Sequence, residues 1–294
     1  MKFFADTASL EEINFCFINN VRDGITTNPS ILEATGDLSL GFEGACKGIL
    51  EKYPQIPISL ETDLQGISIL DIEAKKSEVK DILLKQAYEL ASFKSNVVVK
   101  IPICEGGLLA VSELYRKNIK TNVTACMNPY QALKAAEAGA NYVSLFANRM
   151  LDSHIIELAG YSLNVILTNP KWKSIVKSNK EKYFGEAWTK TLDQIAYTAR
   201  NLENNYPKTE LIIGSIRSTE DIYRIVKAAP HIITIPTKIV RGMVHDKIDI
   251  LKLKQTQRSR APNISLKSNS LHHPMTEYTL DEFERAADSY RQNS

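Results

Sequence analysis

Asn96-Val97-Val98-Val99-Lys100-Ile101-Pro102 is the stretch from which the fold of this chain can be inferred. β-Branched side chains favour a pleated strand, and a nearly continuous apolar run is typical of a strand buried on both faces, as in a parallel sheet. Lys100 interrupts this run. Burial disfavours a charged ammonium and leaves a nucleophilic amine suited to Schiff-base chemistry with a carbonyl compound. From this stretch alone, a solvent-facing lysine at a strand end is the alternative.

Length and composition fit one large α/β domain or two small ones. The chain has 294 residues, 44% of them hydrophobic, so a sizeable core can form without disulfides or metals. A net charge of +2 gives no support for a nucleic-acid surface. The sequence has no apolar run of transmembrane length and no signal-peptide pattern. The scattered cysteines are Cys16, Cys46, Cys104 and Cys126. Because they form no CxxC pair, we expect reduced packing residues in a cytoplasmic protein.

Short apolar strands alternate with helical segments along the chain. The predicted strands are residues 2–5, 24–30, 57–61, 96–102, 121–125, 141–146, 210–216 and 231–235. Repeated strand–helix units form parallel sheets, and this count favours a closed (β/α)8 barrel, the TIM-barrel fold. An open doubly wound sheet is the alternative, but no GxGxxG follows the first strand.

Two stretches lengthen the predicted barrel. Residues 151–183 indicate an insertion after the sixth strand, ahead of a helix predicted to begin after Gly185. Residues 245–274 are polar and basic and indicate a surface excursion after the eighth strand, and an amphipathic helix is predicted over 279–292. We predict a single domain over residues 1–294, with the barrel in about 1–245 and the excursion and terminal helix in 246–294. The His272-His273 pair lacks nearby ligands, so no metal site is predicted.

Polar side chains near the carboxyl ends of the predicted strands share one face. Residues two apart in a strand point the same way, and active sites of parallel barrels lie where the inward faces converge at the top. The side chains expected to meet around one cavity are Asp6, Asn28, Glu61, Lys100, Asn122, Thr124, Ser144 and Phe146.

This set suits imine chemistry on a ketone. Lys100 would attack the carbonyl carbon to give a carbinolamine and then an imine, which draws electrons from the adjacent carbon–carbon bond. Protons move at each step, and Asp6 and Glu61 are the candidate acid–base groups. Thr124 could hold a water that relays a proton.

The same positions also have ordinary interpretations. Asn28 and Asn122 could donate hydrogen bonds to sugar hydroxyls, but an asparagine before a proline is also typical of a turn. Asp6 precedes a helix and could cap it, and Phe146 could belong to the core. The prediction therefore depends on the convergence of these residues.

A phosphate site is predicted beside this cavity. Arg149 follows the sixth strand, and Ser215 and Arg217 end the seventh, just before a helix. Guanidinium groups match phosphate oxygens, helix N-termini favour anions, and phosphate sites near the last strands of barrels are common. The alternative is a pair of surface arginines bound to acids such as Glu220 or Asp221.

Several stretches, in order from the first strand to the seventh, match one known family. They are residues 4–8, 24–30, 97–102, 121–124, 137–149 and 214–217. The combination of Thr26-Thr27-Asn28-Pro29-Ser30 with the valine-rich stretch around Lys100 is quite specific. On these motifs the chain resembles the transaldolase family, in its short subgroup that also contains fructose-6-phosphate aldolases.

This resemblance implies a (β/α)8 barrel that needs no cofactor. Its reaction moves a dihydroxyacetone unit from a ketose phosphate, such as fructose 6-phosphate or sedoheptulose 7-phosphate, to an aldose phosphate in the pentose phosphate pathway. It implies Lys100 as the imine lysine, Asp6 as the proton shuttle, and Glu61 with Thr124 as the pair that positions a water. The other matched positions are substrate contacts (Asn28, Asn122 and Ser144) and a phosphate grip (Arg149, Ser215 and Arg217).

Glu61 and Phe146 bear on the nearest alternative, an aldolase that releases free dihydroxyacetone. The resemblance implies that aldolase-type members have Gln and Tyr at these positions, and that the tyrosine protonates the enamine. Phe146 has no proton to give, so both residues favour transfer. A further alternative is a catalytically silent sugar-phosphate-binding barrel. The presence of all four expected catalytic residues argues against it. Phosphorylated sugars are the expected partners. Neither nucleic acid nor a membrane is expected to bind, and the question of a homo-oligomer stays open.

Overall fold

The computed structural model describes residues 1–35, 41–256 and 270–291. Within these residues, eight parallel strands form one closed barrel in which the strands follow one another in chain order. They are β1 Lys2–Asp6, β2 Ile25–Thr26, β3 Ile58–Glu61, β4 Val97–Pro102, β5 Thr121–Cys126, β6 Tyr142–Phe146, β7 Glu210–Gly214 and β8 Ile232–Pro236. The predicted (β/α)8 barrel is therefore confirmed.

Helices surround the barrel and extend the chain beyond it. They are α1 Leu10–Ile18, α2 Pro29–Thr35, α3 Gly41–Lys52, α4 Lys76–Phe93, α5 Glu105–Arg116, α6 Pro129–Glu137, α7 Ala147–Leu158, α8 Val165–Thr168, α9 Trp172–Asn205, α10 Thr219–Ile225, α11 Thr237–His245, α12 Ile250–Lys254 and α13 Pro274–Arg291. Side-chain caps begin several of them, because the first N–H groups of a helix lack internal partners. Ser9 caps α1, Asn128 caps α6, and Ser218 forms a capping box with Asp221 in α10. Within the described residues, no helix is both long enough and apolar enough to cross a membrane.

The second strand is shorter than predicted. Its predicted span is residues 24–30, whereas β2 contains only Ile25–Thr26. Pro29 begins α2, because proline suits the first turn of a helix, where its missing N–H and fixed φ cost nothing. Asn28 therefore lies at the turn between β2 and α2, where its Oδ1 accepts a hydrogen bond from the N–H of Ile31 at 2.8 Å.

The predicted insertion at 151–183 is largely regular helix. The prediction that a helix begins after Gly185 is wrong, since α9 begins at Trp172. A single glycine inside a helix costs only about 1 kcal/mol. Val176 and Trp188, on either side of Gly185, are buried in the core, and this packing keeps the helix continuous.

The terminal helix is longer than predicted, since α13 begins at Pro274 rather than at residue 279. The predicted polar excursion contains α12, and its residues 257–269 lie outside the described residues. Helix α11 ends at His245, where we place the end of the barrel. The single domain over 1–294 with this internal division stays a prediction.

The barrel interior has an apolar end and a polar end. Phe4 and Ile212, in the middle of their strands, are buried together with Ile232 at the start of β8, and Tyr142 packs against them. Residues two positions further along β1 and β8 are Asp6 and Thr234. Because side chains alternate along each strand, the same inward face becomes polar toward the carboxyl ends. This gradient places polar groups at one mouth of the barrel.

Helix α5 passes very close to the end of β4, the strand that contains Lys100. A Cβ atom built on Gly107 would lie 2.1 Å from the carbonyl oxygen of Pro102. That oxygen belongs to the backbone, so it cannot rotate away as a flexible side chain would. Only glycine permits this approach, which fixes the position of the helix against the end of the strand.

We expect Gly107→Ala to lower the free energy of unfolding by about 2–4 kcal/mol, because the added methyl group overpacks a rigid contact. Urea or thermal unfolding measures this loss. Gly185→Ala is the control, since nothing lies within 4 Å of its Cβ position. Better helix propensity should there raise the free energy of unfolding by about 0.5–1 kcal/mol. Equal stability of Gly107→Ala and the unaltered protein would contradict the close approach.

Candidate active site

A cavity of about 820 Å³ opens at the carboxyl ends of the strands. The sequence-predicted residues that line it are Asp6, Asn28, Lys100, Ser144, Phe146, Arg149 and Ser215. Asn122 and Thr124 are fully buried within the barrel wall, on the strand next to the one that contains Lys100. Glu61 reaches this group by direct contact with Lys100. Arg217 is absent from the cavity lining.

Lys100 and Glu61 form an ion pair inside the barrel. The Lys100 Nζ lies 2.8 Å from Glu61 Oε2, and the two side chains are only 5% and 2% exposed. Lys100 Nζ also donates a hydrogen bond to the carbonyl oxygen of Thr27 at 3.0 Å. Strand register explains the contact, because Glu61 on β3 and Lys100 on β4 are directly paired. Burial raises the pKa of Glu61, and the nearby Lys100 charge offsets only part of that rise.

Asp6 is held by a chain of hydroxyl groups. The Thr26 Oγ1 donates a hydrogen bond to Asp6 Oδ1 at 2.7 Å, and the Thr26 hydroxyl also contacts the Thr234 hydroxyl. Burial raises the pKa of Asp6, although the hydrogen bond from Thr26 and the Lys100 charge oppose this. A carboxyl group with a raised pKa can both bind and release a proton nearer neutral pH, as acid–base catalysis requires.

Sequence reasoning missed Thr234 as a member of this chain. Strand β8 is short and apart from Thr234 it is apolar. No residue of this strand is among the predicted site positions. The signal was nevertheless present, since Ile232, Thr234 and Pro236 alternate in the same way as the inward residues of the other strands. Thr234 also lines the cavity.

Asn122 lies in a second polar chain below the cavity. Ser144 Oγ donates a hydrogen bond to Asn122 Oδ1 at 2.8 Å, and Asn122 Nδ2 donates one to Ser59 Oγ at 3.3 Å. These contacts orient the asparagine amide and link strands β3, β5 and β6. Ser144 reaches the cavity, so this chain connects the buried amide with the open space.

Strand β5 is irregular toward its carboxyl end. Its register with β6 shifts between Val123 and Cys126, and Ala125 has φ of 60°, in the left-handed region. Bulges and such backbone conformations are concentrated near functional sites, where they redirect a side chain. The buried hydroxyl of Thr124, just before this bulge, has no hydrogen-bond partner among the described residues. A water molecule would satisfy it.

The two arginines of the predicted phosphate site are bound to carboxylates. Arg149 Nη2 lies 2.6 Å from Glu282 Oε2. Arg217 makes two hydrogen bonds to Asp152, at 3.0 and 2.6 Å. Both arginines therefore pair with acids, as the alternative interpretation holds, although the carboxylates come from α13 and α7. Of the acids that it named, Asp221 accepts a hydrogen bond from the backbone N–H of Arg217 at 2.9 Å. Ser215 lines the cavity with φ of 61°, so the β7 end turns sharply there.

Helix α13 covers the mouth of this barrel. Its residues that line the cavity are Glu282, Phe283, Arg285 and Ala286. The Phe283 ring lies 5.9 Å from Lys100 Nζ and packs edge-on against Phe146, with their centroids 6.2 Å apart. The amphipathic pattern predicted the apolar face of this helix but contained no signal for its target, because the helix is far from the strands in sequence.

Two contacts fasten α13 to the barrel. Glu284 accepts hydrogen bonds from the backbone N–H groups of Leu64 and Gly66, at 2.8 and 2.7 Å. Thr276 Oγ1 donates one to the carbonyl oxygen of Ala125, at 2.9 Å, beside the β5 bulge. The helix is therefore held to the barrel at two points along its length.

The pair of histidines lies away from the cavity. His272 forms an ion pair with Glu277, and His273 is buried, which lowers its pKa to about 4. In the part of the chain that the structure describes, no three His, Cys, Asp or Glu side chains are grouped in a way that could hold a metal ion. All four cysteines are buried and unpaired.

The fold and the cavity together define a class: (β/α)8 barrels with a lysine–carboxylate centre at the carboxyl ends of the strands. Comparison with known families assigns the chain within this class. The family model described as Transaldolase/Fructose-6-phosphate aldolase matches residues 3–294. The chain belongs to this family.

Individual relatives agree with this assignment. A protein from Bdellovibrio bacteriovorus is 32% identical over 246 residues, which cover 83% of this chain and 90% of the relative. One from Thermodesulfovibrio yellowstonii is 31% identical over 252 residues, covering 85% and 94%. One from Clostridium botulinum is 33% identical over 244 residues, covering 83% and 88%. Each is named a probable transaldolase.

We expect Glu61→Ala to lower the free energy of unfolding by about 3 kcal/mol, because it leaves Lys100 buried without its counter-ion. This loss of unfolding free energy lies at the low end of the range for a broken buried ion pair, because Lys100 keeps its hydrogen bond to the carbonyl oxygen of Thr27. Urea unfolding at neutral pH measures it. Glu61→Gln is the matched variant, because it removes the same charge but keeps the volume and an acceptor oxygen, so its loss should be smaller than that of Glu61→Ala. A Glu61→Gln variant as stable as the unaltered protein would contradict a stabilising charge.

Proposed function

We propose that this protein is a transaldolase that transfers a dihydroxyacetone unit through a Schiff base on Lys100. The donors are ketose phosphates such as fructose 6-phosphate or sedoheptulose 7-phosphate, and an aldose phosphate is the acceptor. The observation that supports this most directly is a buried amine that lines a cavity while it contacts one carboxylate. A lysine in such surroundings is suited to nucleophilic attack on a carbonyl carbon.

Glu61 supports the amine as a nucleophile. Because burial raises the pKa of Glu61, its carboxylate can accept a proton from the ammonium that lies 2.8 Å away. The neutral amine then forms a bond to the ketone carbon. The former carbonyl oxygen takes up two protons, one from the attacking nitrogen and one from the protonated Glu61, and it leaves as water to give the iminium ion. The unpartnered hydroxyl of Thr124 provides a position for a water that carries protons in these steps.

Asp6 is placed to move the proton that cleaves the sugar. The iminium ion attracts the electron pair of the neighbouring carbon–carbon bond, and this bond breaks when a base takes the proton from the adjacent hydroxyl. Asp6 lines the same cavity as Lys100, and its raised pKa suits both removal and return of that proton. The first aldehyde leaves, and the same steps in reverse join the enamine to the acceptor.

Phe146 favours transfer over release of free dihydroxyacetone. Its ring lines the cavity and packs against Phe283, so two apolar rings border the space above Lys100. Neither ring has a proton to donate to the enamine carbon. The enamine on Lys100 therefore persists until an aldehyde arrives.

We expect borohydride added with fructose 6-phosphate to label Lys100 irreversibly, because it reduces the iminium ion to a stable amine. Peptide mass mapping locates the label. Lys100→Met should abolish both the label and the formation of glyceraldehyde 3-phosphate from fructose 6-phosphate and erythrose 4-phosphate.

Lys2→Met is the control for this experiment. Its ammonium pairs with Glu210 at 2.7 Å, at the opposite end of the barrel, so labelling of Lys100 should continue unchanged. A folded, unaltered protein that gives no label and no transfer would defeat the proposed function.

We expect Phe146→Tyr to raise the release of free dihydroxyacetone without an acceptor by about tenfold or more, because it adds a proton donor beside the enamine. General acids typically contribute about 100-fold or more when well placed. Enzymatic assay of dihydroxyacetone measures the release. Phe146→Leu removes the ring without adding a hydroxyl, so it should not increase release. An equal increase in both variants would point to altered packing instead.

A further inference from the structure

The carboxylate of Glu282, at the edge of the cavity, contacts two cations and the hydroxyl of a tyrosine. Glu282 Oε2 contacts Arg149 Nη2 at 2.6 Å, and Glu282 Oε1 accepts a hydrogen bond from the Tyr278 hydroxyl at 2.6 Å. Lys173 Nζ lies 3.6 Å from the same Oε1. We refer to Arg149, Lys173, Tyr278 and Glu282 as the Glu282 cluster.

The groups around Glu282 are those that would bind a phosphate. A guanidinium, an ammonium and a phenolic hydroxyl all donate hydrogen bonds, and two of them are cations. One carboxylate balances only one of those two charges. A phosphate dianion would balance both and would offer more acceptor oxygens. Burial opposes ionisation of Glu282, but the hydrogen bonds from Tyr278 and Arg149 outweigh it, and its pKa lies below the usual value.

Two members of the cluster line the cavity that contains Lys100. They are Arg149 and Glu282, whose side chains are 19% and 30% exposed, whereas Lys173 and Tyr278 contact Glu282 from outside the cavity lining. A sugar phosphate bound covalently at Lys100 would extend through this same space. Its phosphate and the Glu282 carboxylate would compete for one guanidinium group.

We propose that Glu282 occupies an anion subsite and is exchanged for the substrate phosphate, with Lys173 and Tyr278 as further phosphate ligands beside Arg149. This inference rests on the proposed function, since it takes the phosphate to be that of the sugar substrate. It assigns to Glu282 the selectivity between phosphorylated and unphosphorylated ketoses, because only a phosphate has to displace it. It also gives α9, where Lys173 lies, a part in substrate binding.

Displacement of Glu282 does not require α13 to leave the barrel. The contacts of Glu284 with the backbone of Leu64 and Gly66, and of Thr276 with Ala125, are independent of Arg149. Rotation of one side chain therefore exposes the guanidinium while the helix continues to cover the cavity.

Calorimetry measures the binding of inorganic phosphate to the unaltered full chain and to its Glu282→Gln variant. Removal of the competing charge should tighten phosphate binding by about three- to fivefold, the upper part of the range expected for a partly exposed ion pair. The KM for fructose 6-phosphate should fall by a similar factor, while the KM for unphosphorylated fructose and both kcat values stay within about twofold. Lys173→Met introduced into Glu282→Gln should weaken phosphate binding again.

Glu277→Gln is the matched control, because it removes the same charge from the same helix at a residue that contacts His272, away from the cavity. It should leave phosphate binding unchanged. Unchanged or weaker phosphate binding in Glu282→Gln, an equal gain in Glu277→Gln, or no measurable phosphate binding in any of these proteins would overturn the inference. Since calorimetry does not depend on Lys100, a failure of imine trapping with tighter phosphate binding would defeat the proposed reaction alone.

Discussion

The contact between Lys100 and Glu61 is the constraint on which the rest of the molecule depends. Two opposite charges are removed from water inside the barrel, and such a pair is tolerated only when its geometry is good and its remaining groups are satisfied. Direct pairing of β3 with β4 supplies the geometry, and the carbonyl oxygen of Thr27 supplies the further partner. The strand register, the close approach of α5 and the polar layer of the barrel all serve to keep this amine at the cavity.

Helix α13 covers part of the barrel mouth. Its Phe283 supplies an apolar ring above the amine, and its Glu282 supplies a charge at the edge of the cavity. Strand ends alone would leave the lysine open to solvent, where proton exchange with water would be fast. Cover by a helix from the end of the chain gives the site an apolar side without lengthening the strand–helix loops.

The barrel and its inward residues could be predicted from the sequence because both follow from local rules. Alternation within strands placed Asp6, Lys100 and Ser144 on one cavity, and β-branched runs identified the strands. The features that could not be predicted depend on residues that are distant in sequence. The continuity of α9 through Gly185 depends on tertiary packing, and the acids that bind Arg149 and Arg217 come from α13 and α7. No pattern along the chain encodes those partners.

The apolar layer formed by Phe4, Ile212, Ile232 and Tyr142 has a consequence for access to Lys100. It fills the barrel below the cavity, so the interior there is a packed core. In the proposed reaction, the donor and the acceptor therefore approach Lys100 from the same side, through the cavity. The covalent enamine proposed on Lys100 would hold the transferred unit in place while the first aldehyde leaves and the second arrives along that path.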